Sequence, residues 1–176
     1  MGRDKAGLRV GHETLLLRTV RIARSAGDVV LVGELWGPEI DALELPRLSD
    51  RPPGLGPAAG LNALLREAEA RGHAEVLALA VDHPFLSEAD LAALLAPPPA
   101  PARAVRRGRH WEPFLARYGV QEALAALAPL FDTPPVHLQR LLDRIGVPFD
   151  EGLLGPRALR DWDRPEDLAA DGHEIP

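Results

Sequence analysis

Cysteine is absent from this chain of 176 residues. Disulfides, zinc–thiolate centres and a cysteine nucleophile are therefore excluded. Aromatic residues contribute only 5%, so few bulky anchors are available to the core. Lysine is almost missing too: of 20 basic residues, 19 are arginines and one is lysine, Lys5. No apolar run reaches the ~20 residues of a membrane span. The opening Met1-Gly2-Arg3-Asp4-Lys5 has no apolar stretch behind it of the secretory-signal kind. A net charge of −6 gives no bulk attraction to nucleic acid or anionic lipid. What remains is a cytoplasmic protein that handles small molecules.

What is present is a chain with 46% hydrophobic residues, long enough for one self-sufficient core. Its 16 glycines and 18 prolines imply short elements joined by stiff turns. Pro97-Pro98-Pro99-Ala100-Pro101 is a rigid connector, dividing a single domain (1–176) into halves at 1–96 and 102–176.

The first half alternates strand and helix patterns. Leu8–Val10 is extended, and apolar residues at helical spacing predict a helix from Glu13 to Ala26, stopped at Gly27. Val29–Val32 reads as a buried strand, and Ala42–Leu48 as another. Pro57 opens a helix running to Ala70. Glu75–Val81 reads as a strand broken by Asp82-His83-Pro84, and Ser87 with Asp90 forms a variant capping box for a helix over 88–95. Beyond the connector, Ala102–Val105 pairs with Phe114–Tyr118. Helices follow over 121–127 and 136–145, then a strand at Val147–Phe149 and a helical turn at Pro165–Ala170. This alternation predicts an α/β fold with a mostly parallel sheet and helices on both faces. Ligands of such folds bind beyond the strands' C-terminal ends.

Asp82 directly follows the 75–81 strand. A carboxylate there either holds a Mg2+ shared with substrate phosphates or makes a turn hydrogen bond. Gly54-Leu55-Gly56-Pro57-Ala58-Ala59-Gly60 is a glycine-rich helix entry. Alone it reads first as a tight turn with close helix packing, and second as an anion cradle. Lys5, alone, reads as a solvated charge near a terminus, although its compact ammonium suits a phosphate in a way that arginine's fork does not. Asp161 and Asp163 alternate along an extended segment, which puts both on one face. Asp163 is placed to cap the helix after Pro165, with a metal role as a second reading. His12 and His83 lie near the expected ligand loops, and no histidine spacing suggests zinc. Trp111-Glu112-Pro113-Phe114 reads as hairpin packing rather than a base-stacking platform.

Four segments in order carry a resemblance. Met1–Ala6, Asp50–Gly60, Val81-Asp82-His83-Pro84-Phe85-Leu86 and Trp162-Asp163-Arg164-Pro165-Glu166-Asp167-Leu168 resemble the molybdenum cofactor guanylyltransferases, within the MobA-like nucleotidyltransferases. The resemblance spans nearly the whole chain. It implies a three-layer Rossmann-like fold, with a nucleotide-binding half at 1–96 and an acceptor-binding half at 102–176. It also implies Mg2+-dependent transfer of GMP from GTP to the phosphate of molybdopterin, with release of pyrophosphate. By position, Lys5 resembles the triphosphate-binding lysine and Asp50 the nucleotide-contacting aspartate. Gly56 belongs to the loop at the nucleotide, and Asp82 resembles the Mg2+ ligand. Asp163 and Asp161 fall where relatives are asparagine-rich and would add metal-binding charge. Transient contact with cofactor-biosynthesis or acceptor molybdoenzyme proteins is implied as well.

The chain departs from the pattern in three places. Relatives carry a strand and a Leu-Ala-Gly-Gly loop before the Met-Gly pair, and the expectation is a misassigned start that omits a central strand. Gly33 stands where relatives often have asparagine, and Ala58 where leucine is usual. The competing expectations are a transferase using CTP or another acceptor, and a non-catalytic nucleotide- or pterin-binding protein.

Overall fold

The computed structural model describes residues 7–33 and 37–160. In chain order the strands are β1 (Arg9–Val10), β2 (Glu13–Thr14), β3 (Leu31–Val32), β4 (Arg47–Leu48), β5 (Glu75–Leu79), β6 (Ala102–Arg107), β7 (His110–Gly119) and β8 (Gly146–Phe149). The helices are α1 (Leu15–Ala23), α2 (Pro38–Asp41), α3 (Pro57–Ala70), α4 (Glu88–Leu95), α5 (Val120–Leu127) and α6 (Leu138–Ile145). The chain forms two compact units that alternate along the sequence. One comprises Met1–Asp28, Leu79–Ala96 and Glu151–Pro176, the other Val29–Ala78 and Pro97–Asp150.

In the first unit, Gly11 adopts φ +62° and turns β1 back onto β2, pairing Arg9 with Thr14. The helix predicted from Glu13 thus begins later, at Leu15, because Glu13 and Thr14 are held in the hairpin. The Thr14 hydroxyl accepts from the Leu17 N–H at 3.2 Å, capping α1. The helix also ends early: the Ser25 hydroxyl donates to the Ile22 carbonyl at 2.7 Å, satisfying it outside the helical ladder. α1 packs on α4, and Leu15 is buried among Leu8, Val10 and Phe85. The capping box of α4 forms as expected. Ser87 accepts from the Asp90 N–H, and the Asp90 carboxylate accepts from the Ser87 N–H at 2.8 Å.

The second unit holds a four-stranded sheet of order β5-β7-β6-β8. β6 pairs antiparallel with β7 and parallel with β8, so this sheet is mixed rather than mostly parallel. The hairpin turn at Gly108 (φ +61°) reverses the chain after β6, which forces that antiparallel pair. β3 and β4 form a separate parallel pair. Only Leu31 and Val32 of the predicted 29–32 strand are paired, matching the two residues that β4 offers. Leu61 and Leu65 of α3, Leu124 and Leu127 of α5 and Leu141 of α6 make the core with Tyr118 of β7. Trp111 belongs to this core at 4% exposure. Its backbone exchanges two hydrogen bonds with the Gln139 amide, each 2.8 Å, and its indole N–H donates to Asp143. The hairpin-packing reading is therefore the observed one. The proline connector is tied down by Arg117, 3% exposed, which donates to the carbonyls of Pro97 and Pro98 at 2.7 and 2.6 Å.

Candidate functional site

Of the residues singled out by sequence, Lys5, Asp161 and Asp163 lie outside the described residues, as does the helical turn expected at Pro165–Ala170. Asp82 belongs to the first unit; Asp50 and Gly56 belong to the second.

In the second unit, the loop after β4 is fastened to the start of α3. The Arg51 N–H donates to the Ala59 carbonyl at 3.2 Å, and the Asn62 amide donates to the Arg51 carbonyl at 2.9 Å. Gly54 and Gly56 take positive φ, +77° and +62°, where a side chain would be strained. Gly56 is the N-cap of α3 and brings no side chain to the helix start, where Pro57 has no N–H and the Ala59 N–H donates to the Gly56 carbonyl at 2.9 Å. The positive end of the helix dipole there favours an anion. Asp50 is half-buried against the first turn. A Cβ on Gly60 would meet the Asp50 Oδ1 at 3.3 Å and the Val32 Cγ1 at 3.2 Å. Gly60 thus lets the helix close onto β3 and onto Asp50. That contact is long-range, although both residues were visible in the motif.

In the first unit, Asp82 lies in the turn that follows β5, its side chain about a quarter exposed (27%). The next residues fix this turn. His83 and Pro84 are buried, the Leu86 N–H donates to the His83 carbonyl at 3.3 Å, and the Arg18 guanidinium donates to the Leu86 carbonyl at 3.2 Å. Phe85 lies under the Arg157 guanidinium, 4.2 Å from its ring centre. Asp90, besides capping α4, accepts from the Gly155 N–H at 2.6 Å. Gly155–Arg160, the segment leading into Asp161, is thus fastened at two points to the elements that carry Asp82. The capping role of Asp90 was readable in the sequence; its partner 65 residues away was not.

Among the described residues, no three or more His, Asp or Glu side chains gather as a metal cage. A single accessible carboxylate is a hard oxygen donor. It fits Mg2+, which keeps most of its waters and takes further oxygens from substrate phosphates.

The chain matches the family model of the MobA-like NTP transferase domain over residues 1–145. It is 32% identical to a probable molybdenum cofactor guanylyltransferase of Opitutus terrae, covering 95% of this chain and 86% of that protein. It is 35% identical to the molybdenum cofactor guanylyltransferase of Rhodobacter capsulatus, covering 96% and 86%. Among solved structures, it resembles molybdopterin-guanine dinucleotide biosynthesis protein A of Archaeoglobus fulgidus. The TM-score is 0.69 at 22% identity, covering 96% of this chain and 89% of that one. It also resembles 2-C-methyl-D-erythritol 4-phosphate cytidylyltransferase of Thermus thermophilus, with TM-score 0.67 at 21% identity, covering 94% and 91%. These likenesses fix the fold as the Rossmann-like α/β fold of nucleotidyltransferases. The chain belongs to the MobA-like NTP transferase family.

Proposed function

We propose that this protein is a cytoplasmic, Mg2+-dependent nucleotidyltransferase that moves GMP from GTP to molybdopterin. The observation that carries the reading is the 35% identity to a guanylyltransferase over 96% of the chain. In the reaction, an oxygen of the molybdopterin phosphate forms a bond to the α-phosphorus of GTP. The bond from that phosphorus to the bridging oxygen breaks, and its electron pair leaves with pyrophosphate. A phosphate monoester is already a competent nucleophile near neutral pH, so no strong base is needed. The protein's work is alignment and neutralisation of charge.

Lys5 supplies the cation for the triphosphate, Asp50 contacts the nucleoside, and Gly56 lets the backbone approach it. Asp82 holds the Mg2+, with Asp163 and then Asp161 as its further carboxylates. Magnesium bound there supplies positive charge to the phosphate oxygens. The double fastening of Gly155–Arg160 to the elements bearing Asp82 supports the participation of these two acids.

Pyrophosphate release in the presence of molybdopterin, with GTP or CTP, tests the reading. We expect turnover with GTP, little with CTP, and a loss of at least about a hundredfold in Asp82→Ala at an unchanged melting temperature. Turnover preferring CTP overturns the base assignment. Undiminished turnover in Asp82→Ala overturns the role of that carboxylate.

A further inference from the structure

His83 is not needed by the reaction just described, yet it is the immediate neighbour of Asp82. Its side chain is only 7% exposed. Its Nε2 lies 3.9 Å from the Asp82 Oδ1, an electrostatic contact too long for a hydrogen bond. Its Nδ1 is buried with no hydrogen-bond partner. Neutral imidazole carries one N–H. On Nδ1 that proton would be a buried donor without an acceptor; on Nε2 it faces a carboxylate. A ring N–H on Nε2 is therefore the one that faces an opposite charge. Pro84 restricts the backbone of His83, and the Leu86 N–H donates to its carbonyl. A buried polar ring with an unsatisfied nitrogen is disfavoured against an apolar side chain of the same shape. The carboxylate beside it is a metal ligand in the proposed function, and such ligands are oriented by partners in the surrounding shell.

We propose that His83 is a positioning residue: its Nε2–H, set against one oxygen of Asp82, orients the carboxylate so that it can serve the divalent cation. The inference rests on Asp82 being that cation's ligand.

The test uses the full chain with Mn2+ as probe and GTP present without acceptor, so that no turnover occurs. Binding is read from the water-proton relaxation of the bound ion. The variants are Asp82→Ala, His83→Phe, His83→Asn and His83→Gln. The Gln amide nitrogen reaches the place of Nε2, whereas the Asn amide nitrogen reaches only that of Nδ1. We expect the half-saturating Mn2+ concentration to rise about tenfold in His83→Phe and His83→Asn and to stay near wild type in His83→Gln. If His83→Phe does not fold, the contrast between Asn and Gln decides. Equal weakening in Asn and Gln, or wild-type binding in both, overturns the positioning role. Wild-type binding in Asp82→Ala overturns instead the reading of Asp82 beneath it.

Discussion

Gly60 shows how one missing side chain shapes the packing of α3 against its neighbours. Its Cα faces Val32 and Asp50 across a gap that a methyl group would fill at 3.2 and 3.3 Å. Gly60→Ala should therefore force the Val32 side chain and the Asp50 carboxylate to give way. Overpacking costs about 1–3 kcal/mol and alanine's helix preference offsets about 1 of it, so the expected net cost is at most about 2 kcal/mol, measured by urea unfolding. Since Asp50 is the proposed nucleoside contact, KM for GTP should rise while kcat holds. An unchanged KM would show that the carboxylate's position here does not matter to the nucleotide. The sequence marked Gly54, Gly56 and Gly60 as one glycine-rich entry, and two of the three are needed for positive φ. That the third serves close approach to Asp50 depends on how α3 lies over β3, which no local pattern encodes.

Local punctuation decided which elements could be read. α3 runs from Pro57 to Ala70 as the sequence predicts, because proline fits the first helical position and Gly72, at φ +77°, reverses the chain just beyond. α4 was equally legible through Ser87 and Asp90. α2 was not foreseen, since the four residues Pro38–Asp41 make one turn and show no periodicity. Strand lengths were overread at 29–32 and 42–48, since a strand ends where its partner ends, and β3 and β4 pair over two residues only. α4 also shows the limit of a local motif. Ser87→Ala should cost about 1 kcal/mol, as for any lost cap. Asp90→Ala should cost more, roughly 2–4 kcal/mol, because the N–H groups of half-buried Ser87 and of exposed Gly155 both lose a charged acceptor. Urea unfolding of the two variants checks this. Equal losses would mean that the bond to Gly155 contributes nothing to stability.

For the whole molecule, the composition that limited the sequence reading makes one property easy to isolate. The chain has one tyrosine, one lysine and no cysteine, while arginines stay charged to above pH ~12. Few groups other than Tyr118 can therefore change charge in the alkaline range. Tyr118 is fully buried in the core, and its hydroxyl donates to the Pro113 carbonyl at 2.8 Å. Burial pushes its pKa well above the ordinary phenol value. In the unfolded chain the phenol ionises near pH ~10, while in the folded protein it keeps its proton. Above that pH the folded state binds more protons than the unfolded state, so stability falls as pH rises. The slope approaches about 1.4 kcal/mol per pH unit from this group alone. Below pH ~10 both states hold the proton and the group adds no pH dependence. Urea unfolding across the alkaline range should show this descent in the wild type. Tyr118→Phe should start about 1 kcal/mol lower for its lost hydrogen bond but descend less steeply. Phenolate absorbance should then emerge together with unfolding. A smooth native-state titration near the ordinary phenol pKa would show instead that solvent reaches the ring, and that the β7 core is looser than its packing indicates.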